Sequence, residues 1–471
     1  MNGRITACLT VWSALVPFAA LAGETPVNIG FRLELFVDGA LVHDLRGKAE
    51  LRLHHPVARE VVFVTDRPWE GNTSAYFTVF RDGPILRMYY RGSHFDVSRE
   101  EAAHPEYTCY AESRDGARWT RPELGLFEFE GSKKNNIVWT GPGTHNFTPF
   151  KDPNPRCPPE SRYKAVARGI GDLKQSLLAF SSPDGIRWSR VQEEPILTEG
   201  AFDSQNLAFW DTLREEYREY HRDFRHGVRD IRTATSEDFI HWSDPVWLEY
   251  PDAPVEHLYT NQIQPYERAP HIFLGFPTRY LRERGSLTES LFMASRDGRT
   301  FHRWAEALIR PGPNPEKWQN RSNYVWLGLI ETDSGVAGAP PEISLYVNEG
   351  YYEGGSASIR RYTIRVDGFV SVHAPMAGGE VLTSPITFEG RELIVNSATS
   401  AAGSLRVEVQ DVDGRPVPGL ALEDGTEVFG DSIEQPIVWK EPAALAELSG
   451  KPVRLRFVLK DADLYSFRFQ E

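Results

Sequence analysis

Cysteine is scarce in this chain: there are three in 471 residues, Cys8, Cys109 and Cys157. So few thiols exclude a small disulfide-built scaffold, and no Cys/His cluster has the spacing of a zinc site. Positive charge is also thin and scattered, with 52 Lys+Arg against 66 Asp+Glu and a formal net charge of −14. No basic block stands out, which argues against nucleic acid as a partner. Beyond the first 22 residues no apolar run is long enough to span a bilayer, so no membrane association is expected. A hydrolase serine elbow, a phosphate-cradling glycine loop and a metal-ligand set are missing as well.

The first 22 residues carry Arg4, an apolar run from Ile5 to Leu21 broken only by small or weakly polar residues, and Ala20-Leu21-Ala22 before Gly23. That is the pattern of a secretory signal with a small-x-small cleavage site. It predicts an exported protein, secreted or periplasmic, that begins near Gly23. Cys8 would leave with the leader, and Cys109 and Cys157 would remain as a pair. In an oxidising compartment they are either bridged or stay as one strand thiol and one loop thiol, because sequence supplies no distance between them.

What the chain does have is aromatics and turn formers: 12 Trp, 18 Tyr and 26 Phe beside 38 Gly and 33 Pro. One pattern organises them, Ser-x-Asp-Gly-x-x-Trp. It reads SRDGARW from Ser113, SPDGIRW from Ser182, SEDFIHW from Ser236 and SRDGRTF from Ser295. In each copy Ser and Asp side chains can satisfy turn amides, Gly takes a backbone angle that other residues resist, and an aromatic drops back into the sheet. The copies recur roughly every 60 residues, too long for most helical repeats and suited to a four-stranded propeller blade.

Aligning what precedes each box predicts an all-β protein, a five-bladed β-propeller over 23–375 followed by a β-sandwich over 376–471. Blades start near Tyr76, His145, Ser204, Tyr259 and Asn323, and Trp119, Trp188 and Trp242 should occupy equivalent places between blades. Residues before Phe36 should complete the ring or cross its base. After Gly378-Gly379 short alternating runs such as Leu405–Val409 and Val453–Leu459 fit a small sandwich, with only 443–448 reading as helix.

Inner strands of a propeller start at one mouth of the axis, so polar groups there are candidate site residues. The first blade supplies Glu70, the second His145, Asn146 and Asp152, and the third Asp203, Gln205 and Asn206. The fourth supplies Glu256, His257 and Asn261, and the fifth the run Asn320-Arg321-Ser322-Asn323. Arg91, His94, Arg279 and Glu349 are rim groups. Carboxylates flanking a pocket are what glycosidic cleavage needs, one to protonate the leaving oxygen and one to attack or to activate water. Asp203 and Glu256 are the principal pair on this reading, with Glu256 as the acid, and Glu70 is the third. Each also has a structural alternative: Glu70 as a turn acceptor, Glu256 as a partner of His257 or Arg268, Asp152 as part of a turn.

These features resemble the five-bladed glycosidases of glycoside hydrolase families 32, 43 and 68, and most of all secreted bacterial proteins of family-32 type, whose propeller is followed by a sandwich. The resemblance implies a carbohydrate substrate, a nucleophile or base on the first blade, an Asp that holds the substrate and a Glu acid, roles that Glu70, Asp203 and Glu256 match in order. The chain lacks the Asn-Asp-Pro-Asn-Gly, Arg-Asp-Pro and Glu-Cys motifs of those families. No cofactor is implied, though related propellers sometimes carry an axial calcium. Two alternatives to hydrolysis are a non-catalytic carbohydrate-binding propeller and a glycoside phosphorylase, the latter needing at least two Arg or Lys in the pocket, such as Arg279 and Arg321.

Overall fold

The structure, a computed structural model, describes residues 25–319 and 321–471. The leader and Asn320 lie outside the described residues. Among those described, no helix is long and apolar enough to cross a membrane, and the only α-helix is Ala443–Ala446.

Each box folds as its side chains dictate. Ser113 Oγ accepts from the amides of Asp115 (3.2 Å) and Gly116 (2.9 Å), and Asp115 Oδ1 accepts from Ala117 (3.0 Å) and Arg118 (2.8 Å). Trp119 then donates its indole N–H back to the Gly116 carbonyl at 3.2 Å. The turns at Ser182, Ser236 and Ser295 repeat the serine and aspartate bonds. The returning aromatic reaches the preceding blade: Trp188 meets Tyr89 at 6.2 Å, Phe301 meets Tyr220 at 6.4 Å, and Trp119 meets Tyr346 of the last blade at 5.8 Å. The same three tyrosines donate to the box glycine carbonyls of Gly185, Gly298 and Gly116 at 2.7 to 2.9 Å.

That close approach explains the glycine. A Cβ on Gly116 would stand 2.8 Å from the Tyr346 hydroxyl oxygen, and its φ of +78° already disfavours any side chain,. The third box carries Phe239 instead, at φ +71°. Its ring packs 5.8 Å from Phe150 of the second blade, and Trp242 donates to its carbonyl at 3.2 Å.

Five four-stranded antiparallel blades follow. The first is Ala75–Asp82, Ile85–Gly92, Tyr107–Ser113 and Trp119–Thr120, from axis to rim, with Ile137–Thr140 added to its third strand. The second runs Thr148–Lys151, Tyr163–Arg168, Leu177–Ser182, Ser189–Arg190, and the third Leu207–Asp211, Glu216–Arg225, Val228–Ser236, Val246–Trp247. The fourth, Gln264–Tyr266, Ala269–Gly275, Met293–Ser295 and His302–Arg303, carries an inserted hairpin, Thr278–Leu281 with Leu287–Ser290. The fifth takes Ile330–Thr332, Glu342–Glu349 and Ser358–Arg365 from one end of the chain and Val57–Val64 from the other.

Val57–Val64 therefore closes the ring, and the residues before Phe36 do not. The stretch from Val27 to Leu53 pairs instead with the C-terminal sheet: Val27–Gly30 lies parallel to Ile386–Phe388, and Val42–Gly47 lies antiparallel to Gly379–Thr383. The cause is hydrophobic, since Ile29, Phe36 and Leu41 are buried in the C-terminal core with Phe457 and Phe467,.

Two long strands dominate that C-terminal part, Glu392–Gln410 and Arg454–Gln470, paired along most of their length. Phe457 and Phe467 stand on the same strand, ten positions apart, which would separate them by roughly 33 Å if it were straight. Their rings are 5.7 Å apart, so the sheet folds back on itself around one core. Buried Asp367 ties it to the propeller, accepting from Tyr266 (2.7 Å) and Arg268 (3.0 Å) of the fourth blade and from Ser466 (2.8 Å).

The cysteines are not bridged. Cys109 is buried in the core of the first blade, while Cys157 sits in a second-blade loop with its sulfur 3.0 Å from Lys164 Nζ. The two side chains belong to different packing environments, which corrects the bridged alternative.

Candidate active site

The inner strands start at a common mouth, and a cavity of about 480 Å³ opens there. Its volume is within the range of small-ligand sites. Every blade contributes to the wall, by Tyr76 and Arg91, His145 and Arg168, Asp203, Tyr259, and Tyr324, Trp326 and Tyr351 in turn. The aromatics interlock: Tyr324 and Trp326 stack at 5.4 Å with planes 16° apart, and Tyr76 and Tyr259 meet them edge-on at 5.8 Å.

Antiparallel strands bring more than the first strands to this mouth. The second strand of a blade ends there and the third begins there. In the first blade, the excursion between Gly92 and Tyr107 brings His94, His104 and Glu106 to the cavity. Glu106 Oε1 lies 3.2 Å from Arg91 Nη1, and both of its oxygens lie 3.1 Å from His145 Nδ1. Arg91 is itself fixed by donating to Tyr351 Oη and to the Thr73 carbonyl, each at 2.7 Å. Burial alone would favour the neutral acid, but the Arg91 guanidinium and then the His145 ring outweigh it and hold the Glu106 carboxyl down to about 2,.

On the other side of the imidazole is Asp203. His145 Nε2 lies 3.2 Å from its carbonyl oxygen, and Tyr76 Oη donates to the same oxygen at 3.1 Å. The Asp203 side chain forms an ion pair with Arg222 and keeps 46 % of its surface open. Arg222 in turn lies over the Tyr259 ring, 4.8 Å from its centroid. His145 thus stands between the Glu106 carboxylate and the Asp203 backbone carbonyl.

Part of the backbone at the mouth is strained. Tyr76 (φ +57°), Arg321 (+66°) and Tyr352 (+66°) line the cavity in a conformation that bulky side chains rarely adopt,. Such strain costs of order 1 to 3 kcal/mol per residue and concentrates at functional sites.

Of the residues singled out in the sequence, Arg91, His94, His145, Asp203 and Arg321 line this cavity. The others do not. Glu70 is wholly enclosed, accepting from Tyr90 Oη at 2.5 Å and from Arg121 at 2.8 and 2.9 Å. Glu256 is held outside the cavity by Arg279 at 2.9 Å and Arg303 at 2.5 Å, and Arg279 is further occupied by Glu289 at 2.8 Å. Glu349 is paired with Lys317 (2.6 Å) and Arg360 (2.8 Å), and Asp152 with Lys164 (2.5 Å). His257 accepts from the Arg229 amide at 3.1 Å. The expected convergence of Asp203, Glu256 and Glu70 is therefore corrected: arginines remote in sequence hold two of the three elsewhere.

The amides serve a shared structural end. Asn146 donates to the Phe202 carbonyl (2.6 Å) and to that of Ser204, Asn261 to Tyr220 (3.5 Å), and Asn323 to Thr288 (3.2 Å), each reaching the neighbouring blade. Asn206 donates to Phe202 at 3.0 Å within its own blade. Gln205 receives Gln262 at 2.8 Å and donates to Thr78 at 3.0 Å, linking three blades across the axis. Buried polar groups of this kind fix register through bonds whose loss leaves an unpaired donor.

Glu106, His104, Arg168 and the aromatic wall are the cavity residues that the sequence reading passed over. The available signal was positional: Glu106 immediately precedes the third strand of its blade, which begins on the same face as the first. Among the described residues, no group of three or more His, Cys, Asp or Glu is placed to hold a metal ion.

No protein-family model matches the chain. No curated protein matches it either. Similar solved structures include a glycosyl hydrolase from Bacteroides ovatus, at 14 % identity and TM-score 0.39, covering 74 % of this chain and 99 % of that one. The α-L-arabinofuranosidase of Podospora anserina in complex with cellotriose aligns at 9 % identity and TM-score 0.45, over 66 % of this chain and 96 % of that one. The β-1,2-mannobiose phosphorylase of Listeria innocua aligns at 12 % identity and TM-score 0.42, over 63 % and 91 %. The five-bladed architecture itself rests on the strand pairing described above.

Proposed function

We propose that the protein is a glycan-cleaving enzyme, a glycoside hydrolase whose active site is the axial cavity. The observation that carries this reading is the placement of His145 between Glu106 and Asp203 in an aromatic-walled pocket. Flat faces such as Tyr324 and Trp326 suit the apolar face of a sugar ring, and the polar rim suits its hydroxyls.

Glu106 is held ionised by Arg91 and so orients the His145 ring and does not act as the proton donor. His145 bears the proton for the leaving oxygen. Asp203, the more open carboxylate, takes the proton of a water that adds to the anomeric carbon as the C–O bond breaks. General acid and base groups of this kind contribute about 10²- to 10⁴-fold each. Export belongs to the same proposal: removal of residues 1–22 would leave a mature chain beginning at Gly23, which N-terminal sequencing of the exported protein checks.

The test is a screen of the purified protein against polysaccharides and aryl glycosides, followed by Asp203→Asn on whatever is cleaved. Turnover should fall about a hundredfold or more, with cooperative unfolding kept. Glycan binding without cleavage anywhere in the panel would establish the non-catalytic alternative instead.

A further inference from the structure

The cavity holds three arginines, and they are not equivalent. Arg91 is neutralised by Glu106 at 3.2 Å. Arg168 donates from Nε to the Lys174 carbonyl at 2.7 Å, and its charge acts on the Glu106 carboxylate. Arg321 stands apart from both: it lies over the Tyr352 ring, 4.5 Å from the centroid, in a cavity wall that also presents Tyr259, Tyr324 and Tyr351. Its side chain makes no ion pair or hydrogen bond among the described residues.

An arginine in a tyrosine wall without a countercharge is costly, because partial burial weakens its hydration and no carboxylate replaces it. Its backbone is held for this position at φ +66°, and the Arg321 carbonyl is clamped by Asn348 Nδ2 at 3.1 Å. The setting is more telling in a chain of net charge −14: carboxylates are plentiful, and Glu106 and Asp203 line the same cavity, yet among the described residues none pairs with Arg321. A planar fork of donors at the wall of a sugar-sized cavity matches a two-oxygen acceptor.

We propose that Arg321 is the recognition residue for an anionic sugar, binding an oxyanion carried on the ring, a uronic-acid carboxylate or a sulfate ester. This inference rests on the reading of the cavity as a glycan site and adds the substrate class. The bound anion supplies the countercharge that Arg321 lacks, while the neighbouring tyrosines receive the ring.

Calorimetric titration of the full protein with matched pairs tests it: galacturonate against galactose, glucuronate against glucose, and galactose 6-sulfate and inorganic phosphate as further arms. A charge-assisted bond of this kind should make at least one acidic sugar bind about tenfold or more tighter than its neutral parent. Arg321→Gln should abolish that preference and Arg321→Lys should retain part of it. Preference for the uronates identifies a carboxylate, and for the sulfated sugar a sulfate.

Equal binding of acid and neutral sugars, no binding of any acidic sugar at millimolar concentration, or a preference that survives Arg321→Gln overturns the assignment. Phosphate binding with no sugar preference also overturns it, and assigns the subsite to a free anion, as in phosphorolysis. Should Arg321→Gln not fold, loss of the wild-type preference in high salt serves in its place, and a salt-insensitive preference overturns the proposal. Turnover is scored separately. Cleavage of neutral glycans, lost in Asp203→Asn, without acid preference refutes this inference and leaves the catalytic reading. Acid-specific binding lost in Arg321→Gln, without cleavage of any glycan, supports the subsite and refutes the catalytic reading.

Discussion

The outer turns of the blades and the inner mouth of the ring are made by the same strands, yet they follow opposite rules. At the outer turns four boxes repeat one set of bonds, with the serine hydroxyl at 2.9 Å from the fourth-position amide in every copy. At the mouth each blade supplies something different: Tyr76, His145, Asp203, Tyr259, Tyr324. Repetition holds the frame, and the site arises where the blades stop resembling one another. The amides of Asn146, Asn261 and Asn323 still bond to a neighbouring blade and do not line the cavity.

The comparison breaks most visibly at the seams. Trp188 is buried between the first two blades, against Tyr89 and Phe147. Trp188→Ala should cost about 3 to 5 kcal/mol of unfolding free energy in a denaturant titration, and a cost under 1 kcal/mol would show that the box aromatic is not part of the packing. Gly185→Ala places a Cβ 2.7 Å from Arg87 Nη1 and forces a side chain to φ +75°, and should cost about 1 to 2 kcal/mol from the backbone alone. Tyr346→Phe is milder. The Gly116 carbonyl keeps its bond from Trp119, so the loss should be about 0.5 to 1.5 kcal/mol.

A finer distinction comes from pH. The Glu106 carboxyl is depressed in the folded protein from an ordinary value of 4.5 to about 2. The stability it contributes is therefore complete above pH 4.5 and lost as pH falls through about 2. Glu106→Gln should flatten the melting temperature against pH in that window and leave the slope above pH 5 alone. An unchanged slope would mean that Arg91 and His145 do not hold the charge.

Much of the frame was legible because it is local. Four Ser-x-Asp turns and their aromatics can be read within seven residues each, and Asp203, Arg91 and His145 stand at strand ends where the pattern changes. Ring closure was not legible. Val57–Val64 is largely exposed, so its apolar pattern carries little signal, and its partner Ser358–Arg365 is some 300 positions away. Glu256 and Glu70 looked equal to Asp203 because acids at strand starts are chemically alike. What separates them is Arg303, Arg279 and Arg121, whose positions only the folded chain reveals. Glu106 was missed for the converse reason: its partners Arg91 and His145 were both in view, but it sits before a third strand and not a first.

The most direct test of the account is the turnover of four isosteric variants on one cleaved glycan. Asp203→Asn and Glu106→Gln should each lower kcat about a hundredfold or more, while Glu256→Gln, outside the cavity, should stay within about threefold, and Asp203→Asn should still unfold cooperatively although buried Arg222 loses its countercharge,. The contrary result is loss of activity in Glu256→Gln or in Glu70→Gln, with the melting temperature kept, beside full activity in Asp203→Asn; it would place the chemistry away from the axial cavity.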